Sequence, residues 1–198
     1  MKWLGIGLIA GVVILGFVGA GTYNELNRLD QAVQAQWGQV ESAYQRRTDL
    51  VPNLVETVKG AANFEQNTLA AVTEARAKAG QVTVQAGRDV VDNPESFRRF
   101  EEAQQNLSSA LSRLLVTVER YPDLKATQAF RDLQAQLEGT ENRISVERMR
   151  FNQAAQAFNT RRNSFPTVMV AGFFGSRFHE KQYFRSQPGS DVAPRVKF

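Results

Sequence analysis

The sequence contains no cysteine and a single histidine, His179. Without cysteine the chain cannot form disulfides, thiolate zinc sites or iron–sulfur clusters, and it has no cysteine nucleophile. One histidine excludes metal sites built from several histidines and argues against Ser-His-Asp catalysis. We therefore expect no metal site, no cofactor and no catalytic residue.

The sequence also lacks the glycine motifs that bind phosphates or dinucleotides, and it lacks the HExxH zinc motif. The net charge is only +4, and the excess lies in residues 161–198, which hold seven Lys or Arg against two acidic residues. A basic tail of this kind can contact an anionic membrane surface or a nucleic acid. Because an apolar span precedes a helical body, we expect no nucleic-acid partner.

A long apolar run begins almost at the N-terminus. Trp3 to Ala20 contains no charged residue, and its 18 residues lie at the short end of the roughly 17–25 that cross a bilayer. Its glycines disfavour a buried helix in a water-soluble core but are tolerated in lipid. Because a helical pattern starts at Tyr23 with no loop before it, we predict that residues 1–21 form a transmembrane anchor. The alternative is a signal peptide cleaved after the small residues 18–20.

The flanking charges give the expected orientation of this anchor. Lys2 and the N-terminal amine lie on one side, and Arg28 is the nearest cation on the other. Cytoplasmic flanks carry the excess of positive charge, so we predict a single-pass protein with its N-terminus in the cytoplasm and its body outside. The spacing Gly7-x-x-x-Gly11 would let two spans pack closely, and a homo-oligomer is a further expectation.

The body of the chain shows apolar residues at alternating spacings of three and four, the pattern of helices that pack along a seam. No stretch of similar length alternates with a period of two, so we predict an all-α fold. The three seams are Tyr23, Leu26, Asp30, Val33, Trp37, Val40, Tyr44, Arg47, Val51, Leu54, Val58 and Ala61; Phe97, Phe100, Gln104, Leu107, Leu111, Leu114, Val118 and Tyr121; and Phe130, Leu133, Leu137, Thr140, Ile144, Glu147, Phe151, Ala154 and Phe158.

Prolines and glycines mark where these helices end. Tyr121-Pro122 and Phe165-Pro166 predict two helix ends, and Gly80–Pro94 is predicted to be a loop. Pro52 leaves two alternatives, because proline disturbs a helix interior but the seam keeps its phase across it. A turn there gives four helices of similar length, and a kink gives one long first helix; the sequence leaves both open. For residues 22–165 as a whole we predict an elongated four-helix, up-and-down bundle.

Several charged residues lie on the predicted seams or form groups of carboxylates, so each needs a structural or a chemical explanation. Arg47 and Glu147 lie on two seams and could pair across the bundle, since a buried charge is costly alone. We favour a structural ion pair, or charges near an exposed end of the bundle, over a functional site. Asp30 on the first seam is interpreted in the same way. The carboxylates Glu119, Glu138 and Glu141 could serve acid–base chemistry, but arginine neighbours on the same helices explain them as surface ion pairs.

The tail, residues 166–198, combines an apolar segment with aromatic and basic residues. Val168 to Gly175 is apolar, and Arg177, Phe178, Lys181 and Phe184 follow. Aromatics interleaved with cations fit a membrane surface, a protein partner or, less well, single-stranded nucleic acid. The remaining alternative is that the segment folds back and covers the bundle.

Several motifs in order resemble those of the LemA family. Residues 46–55, RRTDLVPNLV, are similar to its RRxDLIPNLV signature, and residues 119–126, ERYPDLKA, are similar to its E-x-YPDLKA stretch. The resemblance spans roughly residues 20–170 and continues through Glu141, Asn142, Arg143, Ile144, Arg148, Asn152, Asn159 and Phe165-Pro166. Phe151 and Phe158 stand where the family usually has tyrosine, and Glu147 where it has a small residue. Any role that needs those hydroxyl groups is therefore not expected here.

The resemblance implies an N-terminally anchored protein of the bacterial inner membrane with a four-helix bundle. Family members have no established enzymatic activity, and some are associated with membrane proteases and envelope stress. We expect a non-enzymatic adaptor or scaffold that contacts membrane lipid through its span and a protein partner through its bundle. Alternatives are a carboxylate-dependent envelope hydrolase and a secreted protein. The predicted docking or structural cluster is Arg46, Arg47, Asp49, Pro52, Asn53, Glu119, Tyr121, Glu141 and Arg148.

Overall fold

The computed structural model describes residues 2–60, 65–86 and 88–185, and over these ranges every regular element is helical. The all-α prediction is therefore confirmed. The helices are α1 (Lys2–Lys59), α2 (Gln66–Ala86), α3 (Pro94–Val118), α4 (Pro122–Lys125), α5 (Gln128–Asn163) and α6 (Thr167–Phe173), with short 3-10 turns at Arg88–Asp92 and Gly175–Arg177.

Helix α1 contains both the apolar run and the first helix of the bundle without interruption. It is, within the described ranges, the one helix long and apolar enough to cross a membrane. Trp3, Ile9 and Phe17 are exposed along its first part, whereas Leu26 and Val33 further on are fully buried. The change from exposed to buried apolar side chains marks the point where the bundle begins.

Four long helices build the bundle, as predicted. Helix α5 runs antiparallel to α1, because Glu25 contacts Arg161 near one end and Arg47 contacts Glu141 further along. Helix α2 packs against α3 and against α1. The predicted seams form the interior, since every seam residue that the structure describes is buried or half-buried, and Ala61 lies outside the described ranges.

The interior consists of two apolar clusters, one above the other. The cluster nearer the span is aromatic and centres on Trp37, whose ring lies 5.0 Å from that of Phe100 and 5.5 Å from that of Phe151. The far cluster is aliphatic and includes Leu54, Leu107 and Leu114, together with Phe130. Edge-on aromatic packing adds to the burial energy of the first cluster.

One predicted break between helices is wrong, and one open alternative is resolved. The segment 80–94, predicted as a loop, continues α2 as far as Ala86, and a 3-10 turn, Arg88–Asp92, precedes α3. At Pro52 the chain does not turn, because α1 continues through it to Lys59, so the alternative of one long first helix is correct there. Helix α3 begins where Asn93 accepts hydrogen bonds from the backbone N–H groups of residues 95 and 96, both at 3.0 Å.

A contact from α2 explains how α1 tolerates Pro52. Proline has no N–H group, so the carbonyl of Thr48, four residues earlier, loses its partner within the helix. Arg76 of α2 donates its Nε–H to this carbonyl oxygen at 3.1 Å. The carbonyl that proline leaves free thus becomes a point of attachment between α1 and α2.

This account predicts a coupling between Arg76 and Pro52. Arg76→Met should cost about 1–2 kcal/mol of unfolding free energy, because it leaves a half-buried carbonyl without a donor. In a Pro52→Ala background the same change should cost about 1 kcal/mol less, since the restored N–H satisfies Thr48. Denaturant unfolding of the four variants measures the coupling. Lys78→Met, on the exposed face of α2, is the control, and equal costs in both backgrounds would contradict the account.

Candidate functional site

A layer of polar side chains crosses the bundle between the two apolar clusters. Its centre is Arg47 of α1, which is only 1% exposed. The aromatic cluster ends at Tyr44 and the aliphatic cluster starts at Leu50, so Arg47 lies in the gap between them. Gln104 of α3 occupies the same gap and is also buried.

The Arg47 guanidinium donates four hydrogen bonds to two other helices. Nη1 donates to Oγ of Ser108 at 2.6 Å and to Oε1 of Glu141 at 2.8 Å. Nη2 donates to Gln104, at 2.6 Å to Oε1 and at 3.0 Å to the backbone oxygen. Gln104 in turn donates from Nε2 to Oγ1 of Thr83 at 3.1 Å. One side chain of α1 therefore links α3 and α5 directly and α2 through Gln104.

The helix seams explain why this charge is inside. Arg47 and Gln104 occupy core positions in the periodic pattern of their helices, so forming the helices carries both into the interior. A buried charge is tolerated only when it is paired and hydrogen-bonded. The planar guanidinium has donors in a fixed fork, which suits several acceptors at once, and it also lies 5.0 Å from the Tyr44 ring centre.

A groove of about 240 Å³ opens over Arg47 on the side of α3 and α5. Charged side chains of both signs line the groove, and Arg148 lies at the end of it that is nearer the apolar run. The Arg148 guanidinium lies 3.8 Å from the Glu101 carboxylate and 4.6 Å above the Phe184 ring, and it donates to the Arg185 carbonyl at 3.2 Å. The charged lining residues are Arg47, Arg98, Glu101, Glu102, Glu141, Arg148 and Arg185.

Burial changes the protonation of two groups beside this groove. The pKa of Glu101 is raised above its ordinary value because burial disfavours the carboxylate, and Arg148 and Arg185 oppose this only in part. The pKa of Tyr44 is raised by burial as well, again against the effect of Arg148 and Arg47. Glu101 therefore keeps its proton to a higher pH than an exposed glutamate does. The charged side chains that line the groove can pair with a charged surface of another molecule.

The structure brings three of the predicted site residues together at this groove: Arg47, Glu141 and Arg148. Arg46 is exposed beside it and donates to Gln136 at 3.4 Å. Asp49 is exposed too, and its carboxylate accepts a hydrogen bond from Gln45 at 2.7 Å.

The other predicted site residues lie towards the far end of the bundle. Pro52 and Asn53 are one to two turns beyond Arg47 on α1. Glu119 is exposed and pairs with Lys125 at 2.5 Å. Tyr121 lines a separate cleft of about 640 Å³ at the α3–α5 connection. The predicted cluster is thus divided between two places, and the groove holds the three members that two long helices bring together.

Arg47 and Glu147 are both buried, but they do not pair with each other. Glu147 is buried lower in the bundle, where it accepts hydrogen bonds from Gln36 at 2.7 Å and from Arg150 at 3.1 Å. Arg47 pairs instead with Glu141, six residues earlier on α5. The periodic pattern indicated which side chains face inward, but it did not indicate how α1 and α5 are aligned along their axes.

The three carboxylates considered for acid–base chemistry do not form one site. Glu138 and Glu141 line a shallow cleft between α3 and α5, where Gln134 donates to Glu138, whereas Glu119 pairs with Lys125 elsewhere. Of the three, only Glu141 also lines the groove over Arg47. Glu101 and Glu102, which sequence reasoning missed, share the groove with it. Among the described residues, no group of three His, Asp or Glu side chains could hold a metal ion, and His179 is exposed.

Two asparagines of α5 fix the tail to the bundle, a role that the sequence did not reveal. Asn152 accepts from the backbone N–H of Phe184 at 2.9 Å and donates to its carbonyl at 2.8 Å. Asn159 bonds the backbone of Lys181 in the same way, at 2.8 and 2.9 Å. Seven helical residues and three extended residues both span about 10 Å, so the two pairs match. The seven-residue spacing of the asparagines, which places both on one face of α5, was the available signal in the sequence.

The same tail segment satisfies the buried acid on the first seam. Lys181 is buried, its ammonium contacts Asp30 and lies 2.5 Å from Asp92, and it sits 4.8 Å above the Phe158 ring. Phe178 and Phe184 are buried beside it. Residues 178–184 therefore fold back onto the bundle. The apolar stretch of residues 168–175, for which folding back was the alternative, instead leaves Met169 and Phe173 exposed. The predictions for residues 186–198 lie outside the described ranges.

The chain is similar to known proteins over most of its length. The sequence model of the LemA family matches residues 36–198. The chain is 27% identical to Protein LemA of Metamycoplasma hominis over 163 residues, which covers 82% of this chain and 69% of the relative. It is 25% identical to the magnetosome protein MamQ of Magnetospirillum gryphiswaldense over 195 residues, 88% of this chain and 70% of the relative. A similar match, 25% over 184 residues, is to magnetosome protein MamQ 2 of Paramagnetospirillum magneticum, covering 86% and 67%.

The hydrogen bonds of Arg47 predict that changing Arg47 and changing its ionic partner Glu141 have unequal effects on the unfolding free energy. Arg47→Lys should destabilise the bundle by about 2–4 kcal/mol, because one ammonium cannot replace four bonds in a buried site. Glu141→Gln should cost less than about 1 kcal/mol, since Glu141 is 46% exposed and water screens the pair. Denaturant unfolding of the full-length protein compares the two variants. Equal losses of unfolding free energy would contradict this account, because they would mean that the Arg47–Glu141 ion pair alone, and not the other hydrogen bonds of the buried guanidinium, stabilises the bundle.

The raised pKa of Glu101 predicts a pH-dependent difference in stability. The folded state holds the Glu101 proton more tightly than the unfolded state, so this group favours folding at low pH and loses that contribution as pH rises through its folded pKa. The melting temperature of Glu101→Gln relative to the native protein should therefore rise between about pH 4 and pH 7. The same change at exposed Glu102 is the control. Parallel curves for the native protein and the Glu101→Gln variant would contradict the assignment.

Proposed function

This chain belongs to the LemA family, and we propose that it is a non-enzymatic, membrane-anchored scaffold that docks a protein partner in the bacterial envelope. It is a helical, membrane-associated protein. The names of the reported relatives describe no enzymatic activity. The scaffold role rests on how the span and the bundle are joined.

The observation that carries the proposal is the unbroken helix α1. It runs from Lys2 to Lys59, through the apolar run and the whole length of the first bundle helix. At 1.5 Å per residue, Arg47 lies about 40 Å and Lys59 about 58 Å beyond Ala20. A helix buried in a bundle cannot bend freely, so it holds the groove at a fixed height over the bilayer. A fixed distance from the bilayer favours a scaffold, because a scaffold must hold its partner in a defined position.

The docking surface in this proposal is the groove over Arg47. Its lining alternates cations and anions from α3 and α5, and complementary charges favour selective docking and fast encounter more than raw affinity. Arg148 is half-buried and fixed by three contacts, so little side-chain freedom is lost when a partner binds it. The resemblance to family members associated with membrane proteases makes such a protease one class of partner.

The proposal places the bundle outside the cytoplasm. Lys2 and the N-terminal amine flank the span on the cytoplasmic side, in accord with the positive-inside rule. The span would also allow self-association through Gly7 and Gly11, which have nothing within 4 Å in the single chain. A mature protein that begins at Gly21 or Thr22 by mass spectrometry would contradict the anchor and favour secretion.

Photo-crosslinking in cells tests the scaffold role. A photoreactive phenylalanine at Gln105, exposed on the groove wall, should form an adduct with one protein of the envelope. The same group at Val116, 71% exposed on α3 outside the groove, is the matched control. Arg148→Glu should reduce the Gln105 adduct at least about tenfold, because it reverses a charge at the contact.

The outcomes of this experiment are distinct. Equal adducts at both positions, or an adduct that survives Arg148→Glu, would contradict docking at the groove. Once identified, the partner should bind the purified full-length protein in a salt-sensitive manner. Binding that is unchanged between low and high salt would contradict the charge-based contact.

One observation favours the second candidate function, a carboxylate-dependent hydrolase of envelope polymers. Glu101, whose pKa is raised, lies in the same groove as Glu141, and a proton donor beside a carboxylate is the pairing that such hydrolysis uses. Purified full-length protein incubated with isolated cell-wall polymer separates the two functions. The scaffold role predicts no turnover, whereas turnover that Glu101→Gln abolishes would establish the hydrolase.

A further inference from the structure

Helix α6 presents large apolar side chains to solvent. Met169 is 68% and Phe173 is 85% exposed, whereas the small residues Thr167 and Ala171 face the bundle and are buried. A short helix on a water-soluble bundle would turn its large apolar residues inward. The reversed arrangement indicates that the exposed face has an apolar surrounding of its own.

Between α6 and α1 lies an apolar cleft of about 650 Å³. Small residues of α1 leave this space open, and Tyr23 closes its upper end, with its ring 4.9 Å from that of Phe174. The walls are formed by Gly16, Gly19, Ala20, Tyr23, Asn24, Met169, Val170, Phe173 and Phe174.

The depth of the cleft follows from its position on α1. Gly16, Gly19 and Ala20 belong to the apolar run that spans the membrane, so the cleft reaches about 6 Å below the end of that run. An apolar cleft at this depth borders hydrocarbon rather than water. The molecules available to fill it are the acyl chains of the surrounding lipids.

Two cations lie above the cleft at the level of lipid phosphates. Arg177 donates to Oδ1 of Asn27 at 3.1 Å, and Arg28 is the next residue along α1; both arginines are exposed. Residue 27 is about 10 Å beyond Ala20, within or near the headgroup layer. Glu25 is already paired with Arg161 at 2.7 Å and does not occupy these cations.

From this geometry we propose that the α1–α6 cleft is a lipid-binding site. One acyl chain of a phospholipid lies against the glycines of α1, and its phosphate contacts Arg177 and Arg28. The exposed face of α6 rests in the same leaflet. The inference rests on the proposed membrane anchor, and it adds a second attachment that fixes the rotation of the bundle about its span.

Filling the cleft tests the site. Gly19→Leu adds a side chain where nothing lies within 4 Å, so it should occupy the cleft without a clash. Phospholipid that copurifies with the full-length protein in mild detergent, counted by native mass spectrometry, should fall at least about fivefold. Gly21→Leu is the matched control, since it lies on α1 two residues beyond Gly19, outside the cleft, and is equally unobstructed. Equal lipid retention by both variants overturns the site.

Fluorescence quenching tests the position of α6, and the absence of cysteine makes single labels simple to place. An environment-sensitive dye is attached to Phe173→Cys, Phe17→Cys or Val116→Cys in nanodiscs of phosphatidylethanolamine and phosphatidylglycerol. Lipids with a nitroxide on the upper acyl chain should quench the dye at positions 17 and 173 but not at position 116. Arg177→Glu should reduce retention of phosphatidylglycerol more than that of phosphatidylethanolamine.

Each failure has a different meaning in this experiment. Quenching at position 17 without quenching at position 173 overturns the lipid site and leaves the anchor intact. No quenching at either position overturns the anchor as well. A disulfide between two copies of Phe173→Cys, without quenching at position 173, would assign the exposed face of α6 to a second copy of the chain and overturn the lipid site.

Discussion

The buried charge of Arg47 is the constraint on which the rest of the bundle depends. An arginine inside a bundle is stable only where acceptors from other helices meet its fork, and here Ser108, Gln104 and Glu141 do so. Any slide of α3 or α5 along α1 by one turn would remove these acceptors and leave the charge unpaired. The polar layer therefore selects one alignment of the helices, whereas the apolar clusters above and below would accept several.

The other polar contacts extend this alignment from the layer towards both ends. Arg76 uses the carbonyl that Pro52 leaves free, which attaches α2 beyond the layer. Asn152 and Asn159 attach the tail on the side of the span. Because α1 continues into the apolar run, the orientation set by these contacts is carried to the membrane. The groove thus keeps a defined height, and α6 keeps a defined place beside the span.

The fold was largely predictable from the sequence because periodic apolar spacing needs only local information. The seams identified the interior correctly, including Arg47, Gln104 and Glu147. Contacts between distant residues could not be predicted in this way. The hydrogen bond that compensates for Pro52 comes from Arg76 in the next helix. Whether Arg47 pairs with Glu141 or Glu147 depends on how far α1 and α5 are shifted along each other. The groove carboxylate Glu101 was missed because no local pattern marks it.

The most direct test of this account measures the alignment itself. Spin labels at Gln39 on α1 and Met149 on α5, both exposed, report the distance between the helices by double electron–electron resonance. The native layer should give one narrow distance. Arg47→Met combined with Gln104→Leu makes the layer apolar, and it should broaden or split the distance distribution while the protein stays folded. An unchanged narrow distance would contradict the claim that Arg47 sets the alignment.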